Sequence, residues 1–139
     1  METQIPEDFK NMFNAQLEGQ VFVVQHIYTT KSLDANNANF MAITASKTDY
    51  QSIIIYLPFD IVIGTYLYCS SSVLTIPNLN ITYSNLEDVL ESGIGNGEIT
   101  ITERNIFTHH IKGTFQCVVN SQNGSIHLIS YGSFDVVYP

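Results

Sequence analysis

The stretch that decides the fold is Gly97 to Tyr138, GEITITERNIFTHHIKGTFQCVVNSQNGSIHLISYGSFDVVY. It reads as four short β-strands in a row: EITITE, HIKGTFQCVV, SIHLIS and SFDVVY. In the first, Ile99 and Ile101 alternate with Thr100 and Thr102. In the second, Ile111, Phe115, Cys117 and Val119 share one face while Lys112, Thr114 and Gln116 share the other. A period of two is the mark of half-buried strands. Asn105 lies in the first connection, Asn123-Gly124 turns the second, and Tyr131-Gly132-Ser133 links the third, so the stretch predicts an antiparallel C-terminal meander.

The upstream sequence extends the same reading. Met12 to Leu17 alternates, Glu18-Gly19 turns it, and Val21 to Tyr28 is apolar on both faces, as expected of a strand covered on both sides. A helix over Glu7 to Leu17 is the competing reading, because Phe9, Met12, Phe13 and Leu17 also fit one helical face. Thr29 to Asn39 is predicted to be a loop, Asn39 to Ala45 a strand, Lys47 to Gln51 a turn, and Ser52 to Leu57 a β-branched strand that Pro58 stops. Thr65 to Ser70, Val73 to Ile76 and Ile81 to Tyr83 are further strand candidates. Leu86, Val89 and Leu90 allow one helical turn capped by Ser84 or Asn85. Ser92 to Gly97 is read as a glycine-rich linker; it lacks the strand, helix and lysine of a phosphate-binding loop. The expected fold is all-β: an antiparallel β-sandwich or a partly open β-barrel. Residues 1–10 are expected to be a flexible lead-in and 11–139 a single β domain.

Composition limits the function classes. The 139 residues are 45% hydrophobic, with eight Tyr and eight Phe, which is enough to build a real core. Only 13% are charged, against roughly 25% in average soluble domains. The surface must then be dressed in Ser, Thr, Asn and Gln, a pattern common on secreted and cell-envelope β-proteins. Thirteen acidic against five basic residues give a net charge of -8, and no two basic residues are adjacent. That argues against nucleic acid and anionic lipid as partners, both of which need clustered Lys and Arg. No run approaches the ~18 apolar residues of a membrane span, and residues 1–20 lack the basic start and apolar middle of a signal peptide.

Candidate chemistry is sparse. His109 and His110 are adjacent, so on a regular strand their rings diverge; His26 and His127 have no carboxylate or thiolate nearby in sequence. Glu87, Asp88 and Glu91 form an acidic cluster without the ligand spacing of a calcium loop. Ser92 and Ser133 sit beside glycines, but no nucleophile-elbow pattern surrounds them. Asp135 is placed opposite Phe134 and Val136. Tyr50, Tyr56, Tyr66, Tyr68 and Tyr83 are candidates for a sugar-stacking surface or for core packing. Cys69 and Cys117 both point where core residues point, so they are buried free thiols or a bridge between strands that are neighbours or face each other across a sandwich. The expectation is no catalytic residues, no metal and no cofactor.

A wider pattern runs through the chain: Ala15-x-Leu17-x-Gly19-x-x-Phe22, Gly64-Thr65-Tyr66, Gly97-x-Ile99-x-Ile101-Thr102, Ile111-Lys112-Gly113-Thr114-Phe115 and Gly132-Ser133-Phe134-x-Val136-x-Tyr138. It resembles a family of small uncharacterised lipoproteins of Bacteroidetes. The resemblance implies a precursor with a lipid-attachment cysteine near its N-terminus, a β-rich mature domain and residence in the cell envelope, in the periplasm or on the outer-membrane surface. No lipobox occurs in this sequence, and the resemblance brings no catalytic residues with it. Two function classes follow: a non-enzymatic envelope-associated binding or structural domain, with a glycan or an envelope protein as partner, and a β-barrel carrier of a small apolar ligand.

Overall fold

A computed structural model of the chain describes residues 9–48, 50–69 and 76–139. Among the described residues ten strands lie in one antiparallel sheet: β1 (Met12–Leu17), β2 (Gln20–Val21), β3 (His26–Leu33), β4 (Asn39–Thr48), β5 (Gln51–Pro58), β6 (Gly64–Cys69), β7 (Asn80–Asn85), β8 (Gly93–Asn105), β9 (His110–Ser121) and β10 (Ile126–Val137). Their order is β2-β1-β10-β9-β8-β7-β5-β4-β3, with β6 paired to Asn96–Ile101 in the middle of β8. The sheet is curled into a half-barrel. The partly open barrel is therefore the correct member of the expected pair, and no α-helix occurs among the described residues.

The curl follows from connectivity. β2 and β3 stand at opposite ends of a nine-strand path, which if flat would span about 38 Å at the usual strand spacing. Yet they are consecutive in sequence, and the chain from Val21 to His26 reaches about 17 Å at full extension. The two edges must therefore be brought round towards each other. Thr29 Oγ1 on β3 then donates to the Val137 carbonyl on β10 at 3.0 Å, and Phe22, in the connecting segment, is buried in the core.

One face of every central strand fills the interior. Met41, Ile43 and Ala45 on β4 face Leu57, Ile55 and Ile53 on β5 in register, and Ile55 and Ile53 continue to Ile81 and Tyr83 on β7. Ile99, Ile101, Ile111, Phe115, Cys117, Phe134 and Val136 are all buried in the same cluster, as their alternation predicts. Phe115 packs on Phe13 with ring centroids 5.3 Å apart, and Phe134 lies 6.3 Å away on its other side.

Five expectations change. First, SIHLIS and SFDVVY are one strand: Tyr131-Gly132-Ser133 is no turn but a bulge inside β10, where the register with β9 jumps between Ile129 and Gly132. Second, Ser92 to Gly97 is no linker. Gly93, Gly95 and Gly97 lie in the first half of β8, where a Cβ on Gly95 would stand 2.0 Å from the Val118 carbonyl oxygen. Glycine here lets two strands approach more closely than any side chain permits. Third, Val21 to Tyr28 is not one strand covered on both sides; β2 ends at Val21, and Val21, Val23 and Tyr28 are exposed. Fourth, Thr29 to Leu33 belongs to edge strand β3 rather than to a loop; a strand largely open to solvent needs no hydrophobic alternation. Its turn is fixed by Asp34, whose Oδ1 accepts from Asn36 N at 2.8 Å and Ala38 N at 2.9 Å. Fifth, the helical turn is a single 3-10 turn, Val89–Glu91, and its cap is Asp88 rather than Ser84 or Asn85.

The helix alternative at Glu7 to Leu17 gives way to strand from Met12 onward, because pairing with β10 buries Phe13 and Ala15 on one face. Residues 1–8 of the expected lead-in, and residues 73–75 of the Val73 to Ile76 candidate, lie outside the described residues. Phe9 sets its ring edge-on to His110 with centroids 5.6 Å apart.

Candidate functional site

The bulge in β10 builds the first candidate site. Ile129 pairs with Cys117 and Gly132 with Phe115, so Ser130 and Tyr131 together oppose Gln116 and are both turned to the outer face. Tyr131 takes a left-handed backbone with φ of 50°, a conformation uncommon for an aromatic residue, and one whose strain concentrates at ligand sites. Its side chain is 80% exposed. It stands at a groove of about 770 Å³ whose walls include Glu98 from β8, Thr114 and Gln116 from β9, and Ser130 and Ser133 from β10. Gly132 anchors the bulge: a Cβ there would meet the Phe115 ring at 2.5 Å.

A second recess of about 620 Å³ lies where the β3–β4 turn, the β5–β6 loop and residues 76–78 meet. Its apolar lining is Pro58, Phe59, Ile61, Val62, Ile76 and Pro77, with Tyr66 beside them and Asn39, Asp60 and Asn78 on the polar part of the wall. The walls are held from behind. Arg104 Nη2 donates to the Phe59 carbonyl at 2.5 Å, the Arg104 guanidinium lies 4.6 Å from the centre of the Tyr138 ring, and Lys31 Nζ lies 4.4 Å from that of Phe59. Tyr66 donates its hydroxyl to the Val62 carbonyl at 2.8 Å, and Asn78 Nδ2 donates to Asp34 Oδ2 at 2.9 Å.

The histidines and acids group elsewhere. His127 is buried on the inner face of β10; its Nδ1 bonds Glu18, and its Nε2 lies 3.8 Å from Glu91 Oε2. His127 has no carboxylate nearby in sequence; the Glu18 turn and the 3-10 turn bring two to it from distant parts of the chain. His110 is similarly placed, with Nε2 bonded to Asp135 and Nδ1 3.9 Å from Glu103 Oε2. His109 turns the other way and stacks on Tyr138, centroids 5.1 Å apart and planes 5° from parallel. The pair therefore diverges as expected, and His26 is exposed beside Tyr28 on the sheet edge. Among the described residues no group of three or more His, Cys, Asp and Glu is arranged to hold a metal ion. Glu87, Asp88 and Glu91 disperse: Asp88 accepts from Leu90 N at 3.2 Å while Glu91 faces His127. Ser92 Oγ accepts from Asn85 N at 2.7 Å, a bond that secures a turn.

The five tyrosines do not form one surface. Tyr68 and Tyr83 are buried in the core, Tyr66 lines the end recess, Tyr56 packs beside Phe40, and Tyr50 lies at the β4–β5 turn. The aromatic that does stand out, Tyr131, was missed. Its signal was present: the inward positions run 127 and 129, then 132, 134 and 136, and that change of phase marks a bulge.

Cys69 and Cys117 are not bridged to each other; Cys117 is buried in the core, whereas Cys69 is only half-buried and follows exposed Leu67 on the other face of β6, which corrects the expectation that both point inward. β6 and β9 flank β8 on opposite sides, and Asn96 and Gly97 of β8 lie between the two cysteines. Burial pushes the Cys117 thiol up to about 11, and burial, followed by the neighbouring Cys117, raises the Tyr68 hydroxyl as well. Both groups are neutral in the fold and ionise more readily once unfolded. The stability this represents is complete below about pH 9 and is lost as pH climbs towards about 11. Urea midpoints are expected to fall between pH 8 and 11, with a Cys117 contribution on the order of 2 kcal/mol. In Cys117→Ala the fall should be smaller; an equal fall would show that the thiol is not the group responsible.

These features define an all-β half-barrel domain that carries open recesses on its sheet and loops, and no helix among the described residues is long and apolar enough to cross a membrane. The chain belongs to the family described as Domain of unknown function (DUF6252), whose match covers residues 10–137. No curated protein and no solved structure matches it.

Proposed function

We propose that this chain is a non-enzymatic, cell-envelope-associated binding domain. The observation that carries the reading is the chemistry of the two recesses. They are lined mainly by apolar, hydroxyl and amide side chains on paired strands and short loops, while both carboxylate-paired histidines lie outside them. Such surfaces recognise a ligand by shape and hydrogen bonding. Envelope association is supported by the resemblance of the sequence pattern to that of Bacteroidetes lipoproteins and by the charged fraction of only 13%; a lipid anchor on the precursor would provide the attachment. Fractionation of cells expressing the native gene is expected to place the chain with the envelope, and recovery in the cytosolic fraction would overturn that part of the reading.

The apolar lining of the end recess favours a second reading, a carrier of a small apolar ligand. The barrel interior is occupied by its own Ile, Met and Phe side chains, so such a ligand would sit at the end, against Phe59 and Pro77. Saturable binding of N-phenylnaphthylamine that Val62→Asp abolishes would support the carrier; unsaturable, mutation-insensitive fluorescence would count against it.

A further inference from the structure

We propose that the outer-face groove at the β10 bulge binds a neutral saccharide chain, with Tyr131 as the stacking platform. The inference rests on the reading of the chain as a binding domain and names the ligand class. Five observations lead to it.

Tyr131 presents a large ring to solvent from a strained backbone, locked by Gly132 over Phe115. A rigid amphipathic aromatic offers contact area at little entropic cost. Around it, Glu98, Gln116, Ser130 and Ser133 supply a carboxylate, an amide and two hydroxyls. That set offers both donors and acceptors, which is what a ligand covered in hydroxyl groups requires. The groove also lies in mid-sheet. β9 is flanked by β8 and β10, and β10 by β9 and β1, so neither strand offers a free edge and a peptide cannot add as a strand. Recognition must come from side chains. Charge then selects among glycans: none of the lining residues is basic, Glu98 is acidic, and the chain carries -8 overall. Uronates, sulfated glycans and nucleic acids are repelled, whereas a neutral chain is not. The volume of about 770 Å³ falls within the range of ligand sites, roughly 300–1,000 Å³, and leaves room for a short run of sugar rings.

The test is affinity gel electrophoresis and calorimetry of the intact chain against mixed-linkage β-glucan, xyloglucan, galactomannan, arabinoxylan, α-mannan and soluble starch, with polygalacturonate and heparin as anionic probes. At least one neutral polysaccharide should retard the protein and neither anionic one should. Tyr131→Ala should weaken that binding about tenfold or more, while Tyr131→Phe keeps it within about twofold, as stacking rather than the hydroxyl carries the contact. Glu98→Gln and Gln116→Ala should weaken it without changing the melting temperature. Because Tyr131 is exposed, Tyr131→Ala should also melt with the wild type, which separates lost binding from lost folding. Failure of every neutral polysaccharide, preference for an anionic one, or undiminished binding by Tyr131→Ala would each overturn the inference. So would a photo-crosslinker at position 131 that captures an envelope protein when no glycan binds. If the chain fractionates with the envelope while the polysaccharides fail, the saccharide inference falls and the envelope reading stands. If polysaccharides bind and the chain is cytosolic, the reverse holds.

Discussion

Phe115→Ala is expected to lower the unfolding free energy by about 3–5 kcal/mol, the range for truncating a buried aromatic. Phe115 is 4% exposed, and its ring is enclosed by Phe13 from β1, Phe134 from β10 and the Cα of Gly132. These partners lie on β1 and β10, which are backbone-paired to each other and, through β10, to β9, so they cannot collapse into the space that the ring leaves. For a domain stable by ~5–15 kcal/mol such a loss is severe. Urea denaturation followed by far-UV circular dichroism measures it, and a loss below about 1 kcal/mol would mean that Phe115 does not hold β1, β9 and β10 together. Gly132→Ala should also be destabilising, because its new methyl would enter the space the Phe115 ring occupies. A smaller side chain at 115 should then partly relieve it, and this non-additivity would identify the contact.

The second large effect is expected at Gly95. A methyl group there would lie 2.0 Å from the Val118 carbonyl oxygen and 2.7 Å from its carbon, so the backbone of β9 itself must move. Gly95→Ala should therefore cost about 3 kcal/mol, the upper end of the range for overpacking. Gly124→Ala provides the contrast. It has open space around it and a φ of +85°, so only backbone strain of about 1–2 kcal/mol is at stake. Comparison of the two by chemical denaturation isolates close approach from backbone conformation. If Gly95→Ala costs no more than Gly124→Ala, then the tight β8–β9 contact does not shape the sheet.

The same alternation that made the C-terminal third legible explains where it misled. Strands β4, β5, β7 and β9 have two neighbours and one buried face, so their sequences carry a clean period of two and were readable. β3 has a single neighbour and little buried surface, so nothing in its sequence beyond Tyr28 marked it as a strand. In Ser92 to Gly97 the absence of side chains looked like flexibility, whereas the pairing of Gly93, Gly95 and Gly97 with Ser121, Val119 and Cys117 makes it a place of closest packing. Glycine reports only that a side chain is unwelcome; the neighbour that excludes it is a tertiary fact.

The sequence by itself determined that this is an all-β, acidic domain with an aliphatic and aromatic core. Hydrophobic period, turn residues and net charge are local or additive properties, and they survive without knowledge of which strand meets which. Only the tertiary structure decided that the sheet curls into a half-barrel, that Glu18 and Glu91 meet His127, and that Tyr131 stands beside Glu98 and Gln116. Those outcomes depend on strand order and on register, where a single extra residue in β10 turns Tyr131 outward. Order and register are fixed by pairing between residues tens of positions apart, and a period along the chain does not encode them.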